Sequence, residues 1–292
     1  MLAKRMDGLR YRVFAGCLFP NGEGAKDLAN NSSSDLTIIP LDVTNDKSVD
    51  LAKDFVMNNL GADVLWAVVN NAGIGQGGEI DWTSLSEFQN VIEVNTFGVI
   101  RVTKAFLPLL RKSKGRVVNI TSLLGKVCLP GLVGYCMSKS AAISFTTGLR
   151  MEMTKWKVKV ISIEPFFYTT PLTKTKPAID LLEKVWAKTP TEIRKDYGEA
   201  YKEVIKNACV NLLARASHKT YEVLDCFEDA ITAKEPLTTY SPCYLPDKLG
   251  FQLLGTLPST VTERYILTYL DTKVKPAALM KKEATTASAK EK

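Results

Sequence analysis

The sequence predicts an α/β fold with a doubly wound parallel sheet, and two observations support that prediction. Short apolar runs rich in β-branched residues alternate along the chain with longer helical stretches. The runs are predominantly apolar, as expected for parallel strands covered on both faces. They lie at residues 13–18, 36–41, 64–69, 116–120 and 158–163, and the helical stretches lie near 46–59, 87–112 and 135–156.

The rest of the chain differs in composition. Residues 166–215 are rich in Lys, Thr and Glu, with helical periodicity from Ile179 onward, and they follow the fifth strand, where α/β folds place ligand-covering loops. An apolar stretch at 245–270 is broken by Pro246 and Pro258, and the tail after it has a composition typical of disorder. We therefore expect one domain over 1–245, with a substrate-covering segment at 166–215, and a C-terminal extension over 246–292.

Composition excludes several classes of function. The formal net charge is +7, but the sequence has no zinc-finger spacing and no Lys/Arg block, so we expect no nucleic-acid partner. Of the six cysteines, no two form a C-x-x-C pair, and His218 is the single histidine, which argues against a metal site and a Ser-His-Asp triad. No run is long and apolar enough to predict a transmembrane helix.

Tyr135 and Lys139 are the first candidate for chemistry. Residues four apart share a helix face, so the phenol and the ammonium are expected to lie side by side. A nearby ammonium favours phenolate and lowers a tyrosine pKa, which makes Tyr135 a candidate general acid/base. In isolation the spacing equally describes an ordinary surface pair.

Ser122 follows the strand at 116–120 and stands 13 residues before Tyr135. A hydroxyl at the carboxyl end of a parallel strand faces the crevice where α/β folds bind ligands, and it could stabilise charge on a substrate oxygen. The alternative is a serine that caps a turn.

Two further features precede these residues. Asn70-Asn71-Ala72-Gly73 follows the third strand, where small residues let a backbone approach a cofactor; the alternative is a strand-ending turn. Asn95 lies within an apolar helix, where its amide must find a partner; the alternative is local satisfaction or a helix irregularity.

Taken in their order along the chain, the four features resemble the short-chain dehydrogenase/reductase family over roughly residues 2–245. The resemblance implies a Rossmann-type fold and a nicotinamide cofactor. It implies catalytic roles for Tyr135 as acid/base, Lys139 as the group that lowers its pKa and holds the nicotinamide ribose, Ser122 at the substrate oxygen, and Asn95 behind Lys139 in a proton relay. It implies cofactor contacts for Asn70, Ala72, Gly73 and for Asp42 at the adenine.

Other segments resemble one branch of that family, which holds the retinol dehydrogenases, the estradiol 17-beta-dehydrogenase type 2 enzymes and D-beta-hydroxybutyrate dehydrogenase. These are residues 13–18, 106–119, 196–198 and 240–242. The branch implies NAD, with NADP as the alternative, and a lipophilic alcohol as substrate. It also implies association with an endoplasmic reticulum or mitochondrial membrane surface, and a homodimer through the helices at 87–112 and 135–156.

The sequence departs from the family pattern in two places. Family members begin with a strand and a Thr-Gly-x-x-x-Gly-x-Gly turn, whereas here residues 2–7 resemble the helix that follows the turn, so we expect the first strand and the glycine turn to be missing. After the fifth strand, Thr170 fits the threonine that reaches the nicotinamide carboxamide, but Phe166 stands where the family has glycine.

Two hypotheses about function follow. The first is an oxidoreductase that transfers a hydride between NAD(H) and a lipophilic alcohol or ketone such as a steroid or retinoid. The alternative is a truncated, inactive paralogue that acts as a lipid-binding or interaction protein.

Overall fold

The structure, a computed structural model, describes residues 1–243, 250, 253–269 and 274–280. The strands are β1 (Val13–Cys17), β2 (Leu36–Pro40), β3 (Ala67–Asn70), β4 (Arg116–Ile120), β5 (Lys159–Ile163) and β6 (Thr239–Tyr240). The helices are α1 (Leu2–Gly8), α2 (Glu23–Asn30), α3 (Asp46–Asn59), α4 (Leu85–Ile92), α5 (Gly98–Ser113), α6 (Val133–Met153), α7 (Thr175–Lys188), α8 (Thr191–Tyr197), α9 (Glu199–Leu213), α10 (Tyr221–Thr232) and α11 (Ser259–Tyr269). Of the tail predicted to be disordered, residues 274–280 are described and are helical at 277–280, whereas the residues from 281 onward lie outside the described residues.

All the strand pairs are parallel, and helices cover both faces of the sheet as the sequence predicts. Neighbouring residues of β4 show this arrangement. Val117 packs into a core built with α3, α5 and α6, whereas Val118 packs on the opposite face with Met6 of α1 and Phe227 of α10. Both valines are completely buried, which explains why the strand is apolar on both faces.

The third strand starts later than the sequence predicts. We expected residues 64–69, but β3 begins at Ala67, and Val64 ahead of it is 62% exposed. The strand extends instead to Asn70, which pairs with Asn119 of β4. Apolar character alone therefore placed the start of this strand too early.

The strands form two sheets rather than one. β1 pairs with β2, and β3, β4, β5 and β6 form a separate four-stranded sheet in that order. β1 and β3 therefore belong to different sheets, and the resemblance places the expected first strand between them. The expectation that a strand and a glycine turn are missing between them stays a prediction.

The predicted helix over 87–112 is interrupted. α4 ends at Ile92, a π-helical turn spans Glu93–Phe97, and α5 begins at Gly98. Asn95 lies in the middle of this turn and is fully buried. A helix irregularity is one of the alternatives that the sequence offers for this residue, and the structure contains one.

The segment after β5 is helical, through α7, α8 and α9, and it packs on the loop that follows β3. Trp82 of that loop contacts Trp186 of α7 at 4.7 Å and Tyr197 of α8 at 5.3 Å between ring centroids. Part of the predicted apolar stretch at 245–270 lies outside the described residues, and α11 forms within it. No helix in the described ranges is long and apolar enough to cross a membrane.

Candidate active site

Most of the candidate residues lie at the carboxyl edge of the four-stranded sheet. Ser122 lies two residues beyond β4, and Gly73 three residues beyond β3. Pro165 lies two residues beyond β5, and the Thr121 N–H donates to the carbonyl oxygen of Ile163 at 2.8 Å, which holds the ends of β4 and β5 together. This is the edge where parallel α/β sheets bind ligands.

Ser122 begins a 3₁₀ turn at Leu123–Gly125. Its Oγ accepts a hydrogen bond from the Leu124 N–H at 3.1 Å, and it contacts the carbonyl oxygen of Pro165 at 3.4 Å. The hydroxyl also lies close enough to the phenol of Tyr135 to lower the pKa of that group. Ser122 therefore caps the turn, as in the alternative, and the cap also holds its hydroxyl next to Tyr135, as the site role requires.

The turn lies directly against α6, and glycine makes this approach possible. A Cβ at Gly125 would lie 2.8 Å from the backbone carbon of Lys139 and 2.6 Å from the side chain of Ile143. A residue with a side chain would push the turn away from the helix. Gly125 therefore sets the distance between Ser122 and the helix face that carries Tyr135 and Lys139.

Tyr135 and Lys139 share that face as predicted. The Lys139 Nζ lies 5.7 Å from the centroid of the Tyr135 ring and donates to the carbonyl oxygen of Ile120 at 3.0 Å. Lys139 is only 4% exposed, so its ammonium is held between α6 and the end of β4.

The expected lowering of the Tyr135 pKa is not found. Burial raises the pKa of Tyr135 to about 12, and the hydrogen bond from Ser122 opposes that rise without cancelling it. Burial also lowers the pKa of Lys139 to about 8. In both groups burial is the largest cause, because it disfavours the charged form of each side chain.

Asn95 uses its side chain to fix the loop after β3. Its Oδ1 accepts from the Ile74 N–H at 2.8 Å, and its Nδ2 donates to the Ile74 carbonyl oxygen at 3.0 Å. Nδ2 also donates to Ser138 Oγ at 3.0 Å, and Ser138 donates to the carbonyl oxygen of Tyr135 at 2.7 Å. Asn95 thus connects the loop to α6, and the relay implied by the resemblance stays a prediction.

The residues expected to border the cofactor differ in accessibility. Ala72 and Gly73 are exposed, and a Cβ at Gly73 would lie 3.8 Å from the Lys139 Nζ. Asn70 is buried, and its side-chain amide donates to Thr103 Oγ1 and to Asn119 Oδ1. Both hydrogen bonds of this side chain are therefore made inside the protein. Any contact that Asn70 makes at this edge belongs to its backbone.

Asp42 and Thr170 lie at the ends of their own elements. Asp42 follows β2, and two hydrogen bonds from Thr44, one from the side chain and one from the backbone, lower the pKa of its carboxyl. Thr170 precedes the 3₁₀ turn Pro171–Thr173, and its N–H donates to Thr173 Oγ1 at 2.8 Å. The adenine and carboxamide contacts assigned to them stay predictions.

Three residues at the site, Gln76, Lys126 and Glu164, were not predicted from the sequence. Gln76, which is buried, accepts from the Tyr135 N–H at 3.3 Å and donates to Thr83 Oγ1 at 3.3 Å. The buried Glu164 pairs with Lys126 at 2.6 Å beside the Ser122 turn. One signal was present: Gln76 is a single polar side chain in a glycine-rich stretch.

Comparisons with known proteins give the family. Residues 2–179 match the family model described as short chain dehydrogenase. Retinol dehydrogenase 5 of Mus musculus is 38% identical over 274 residues, which cover 92% of this chain and 84% of that protein. The mitochondrial D-beta-hydroxybutyrate dehydrogenase of Rattus norvegicus is 35% identical over 269 residues, covering 90% of this chain and 78% of that protein.

Solved structures agree on the fold. A short-chain dehydrogenase from Streptomyces avermitilis has a TM-score of 0.71 at 22% sequence identity, with 92% of each chain covered. A short-chain dehydrogenase/reductase from Burkholderia phymatum, solved in complex with NAD, has a TM-score of 0.67 at 19% identity, covering 87% of this chain and 86% of that one. Both the predicted Rossmann-type fold and the predicted branch are confirmed. The chain belongs to the short-chain dehydrogenase family of oxidoreductases, in the branch that holds the retinol dehydrogenases and D-beta-hydroxybutyrate dehydrogenase.

Proposed function

We propose that this chain transfers a hydride between NAD(H) and a lipophilic alcohol or ketone such as a steroid or retinoid. The observation that supports this most is the convergence of Ser122, Tyr135 and Lys139 at the ligand-binding edge of the sheet. Relatives named for such substrates add support, among them retinol dehydrogenase 5 of Mus musculus and 17-beta-hydroxysteroid dehydrogenase type 6 of Homo sapiens. The latter is 35% identical over 269 residues.

The residues at this edge fit the nicotinamide end of the cofactor. Lys139 carries three N–H donors, of which one is directed at Ile120, and the bare backbone of Gly73 lies beside it. We propose that Lys139 holds the ribose, that Gly73 and Ala72 border the ring, that Thr170 reaches the carboxamide and that Asp42 meets the adenine. NAD is the expected form because the branch implies it, and NADP is the alternative.

The cofactor, when bound, supplies the hydride acceptor, and the protein moves the proton. In alcohol oxidation Tyr135 takes the hydroxyl proton while Ser122 donates a hydrogen bond to the substrate oxygen. With its pKa raised to about 12, Tyr135 is protonated at neutral pH and is ready to donate a proton in the reverse direction, ketone reduction. The Lys139 ammonium favours the phenolate that oxidation requires.

The test is the substitution Tyr135→Phe. Because the phenol carries the transferred proton, we expect turnover of retinol and estradiol to fall by a factor of about 100 or more, while NADH binding, measured by fluorescence transfer, is unchanged. Tyr221→Phe is the matched control, since Tyr221 is 51% exposed. Turnover retained in Tyr135→Phe would contradict the proposed mechanism.

A second candidate function is a lipid-binding or interaction protein that uses no cofactor. One observation favours it: β1 and β3 belong to different sheets in the described part of the chain. This candidate expects a bound lipid together with no fluorescence transfer to NADH. Measurable transfer would rule it out.

We also propose that the protein acts at a membrane surface, as the branch implies. The helix α11 supports this, since Val261 and Tyr265, four residues apart, are both exposed. The homodimer expected through the helices at 87–112 and 135–156 stays a prediction. Large apolar side chains are exposed on those helices, namely Phe97, Met137 and Met151.

A further inference from the structure

A buried carboxylate lies directly behind the turn that carries Ser122. Glu164 follows β5, and its side chain is 3% exposed. Its Oε2 forms an ion pair with the Lys126 Nζ at 2.6 Å, and its Oε1 accepts a hydrogen bond from Ser162 Oγ at 3.2 Å. A carboxylate at this depth is retained only where its charge is matched and its oxygens are hydrogen-bonded.

The partner of this carboxylate sits at the far end of the Ser122 turn. Ser122 precedes the 3₁₀ turn and Lys126 follows it, with the Lys126 N–H donating to the Leu123 carbonyl oxygen at 2.9 Å. The front of the turn is held separately, because the Leu123 N–H donates to the carbonyl oxygen of Pro165 at 3.2 Å. Both ends of the turn are therefore attached to two consecutive residues, Glu164 and Pro165.

This double attachment fixes the orientation of the Ser122 hydroxyl. The turn is short and lies against α6 at Gly125, so a change at its far end moves its front as well. Ser122 must stay within hydrogen-bond reach of Tyr135, and a displacement of about 1 Å at a reacting group costs much of its catalytic effect.

We propose that the Glu164–Lys126 ion pair positions the catalytic turn, so that both residues act on the reaction through Ser122 without touching substrate or cofactor. This inference rests on the proposed function. The pair differs from a surface salt bridge because one partner is almost completely buried while the other, Lys126, is 45% exposed.

The test uses Lys126→Met as the main variant and Lys126→Arg as the conservative one. Lys126 is half exposed, so its replacement leaves the core intact, whereas Glu164→Gln changes a buried residue. For Lys126→Met we expect the kcat for alcohol oxidation to fall about tenfold while the KM for NAD stays within about twofold. Lys126→Arg restores kcat because it keeps the charge and the reach to Glu164.

A second readout separates this inference from the proposed function. Hydrogen–deuterium exchange of the peptide covering 121–127 should accelerate in Lys126→Met and return to the wild-type rate in Lys126→Arg. If the wild type turns over no alcohol, the proposed function fails, and the exchange data still test the positioning. Wild-type kcat together with wild-type exchange in Lys126→Met overturns the inference.

Discussion

Lys139 is buried in α6, and this burial has a consequence for stability as well as for chemistry. Burial lowers the pKa of Lys139 from 10.5 to about 8. Between those two values the unfolded chain binds more protons than the folded protein, so the free energy of unfolding rises with pH across that window. The buried lysine thus makes the fold less stable at neutral pH than at alkaline pH.

The substitution Lys139→Met tests this linkage. We expect wild-type protein to gain about 3 kcal/mol of unfolding free energy relative to Lys139→Met as the pH rises from 7 to about 10.5. Urea denaturation at several pH values measures the difference, in which the other titrating groups cancel. Lys104→Met is the control, since Lys104 is exposed and its variant should follow the wild type. If the unfolding free energies of wild type and Lys139→Met changed with pH in parallel, the pKa of Lys139 would not be lowered in the folded protein.

At the residue scale, the sequence predicted only those residues of the candidate site whose positions follow from their spacing within one helix or strand. Tyr135 and Lys139 lie on one helix, and Ser122 ends a strand, so a local pattern places all three. The Glu164–Lys126 pair joins the end of β5 to a turn after β4, and the contact exists only because the two strands are neighbours. The directions of the pKa shifts of Tyr135 and Lys139 were not predicted either, because they depend on burial, which residue spacing does not describe.

At the scale of elements, the segment over α7, α8 and α9 is attached by aromatic packing. The rings of Trp186, Tyr197 and Tyr201 each meet Trp82 nearly edge-on, and Trp82 is 3% exposed. Val185 of α7 also lies next to Gly78, whose positive φ of 117° glycine adopts without strain. Helical periodicity predicted that this segment is helical. It did not identify Trp82 as the residue on which the segment packs, because Trp82 lies in the loop after β3, distant along the chain.

The helix α11 provides the test of membrane association. Aspartates at 261 and 265 place charge on the face that we propose meets lipid, so the double substitution Val261→Asp, Tyr265→Asp should lower binding to anionic vesicles by about tenfold or more. Flotation with such vesicles measures the bound fraction. Leu237→Asp is the control, because Leu237 is 63% exposed and lies outside α11. Equal flotation of the double variant and the wild type would exclude this face.

At the scale of the whole molecule, the layers of the fold follow from the sequence, but the pairing of its strands does not. Consecutive apolar residues in a strand require cover on both faces, and β4 shows that cover directly in Val117 and Val118. The division into two sheets depends on backbone hydrogen bonds between β1 and its neighbours, which side-chain patterns do not encode.

The two sheets should differ in local stability. β1 pairs with a single strand and is only partly buried, whereas β4 lies between two partners and four of its five residues are buried. We expect backbone amides of the β1 peptide to exchange with deuterium about tenfold or more faster than those of the β4 peptide. Mass spectrometry of exchanged peptides measures both, and β5 serves as an internal reference that should match β4. Equal exchange in β1 and β4 would show that the two sheets open as one unit.

The π-helical turn at Glu93–Phe97 also determines which changes of length the protein tolerates. An α-helix advances by about 100° for each residue, so the extra residue in this turn shifts the sequence pattern of α5 against that of α4 by about that angle. The buried stripe of α5, which includes Val102, Phe106 and Leu110, faces the core. Removal of one residue from the turn would close the turn to an ordinary helix and leave the stripe facing the sheet, because four α-helical residues turn the chain by about the same angle as the five of the π-turn. A deletion inside the turn is therefore absorbed locally, whereas a deletion within α5 itself would rotate every residue that follows it in the helix by about 100°.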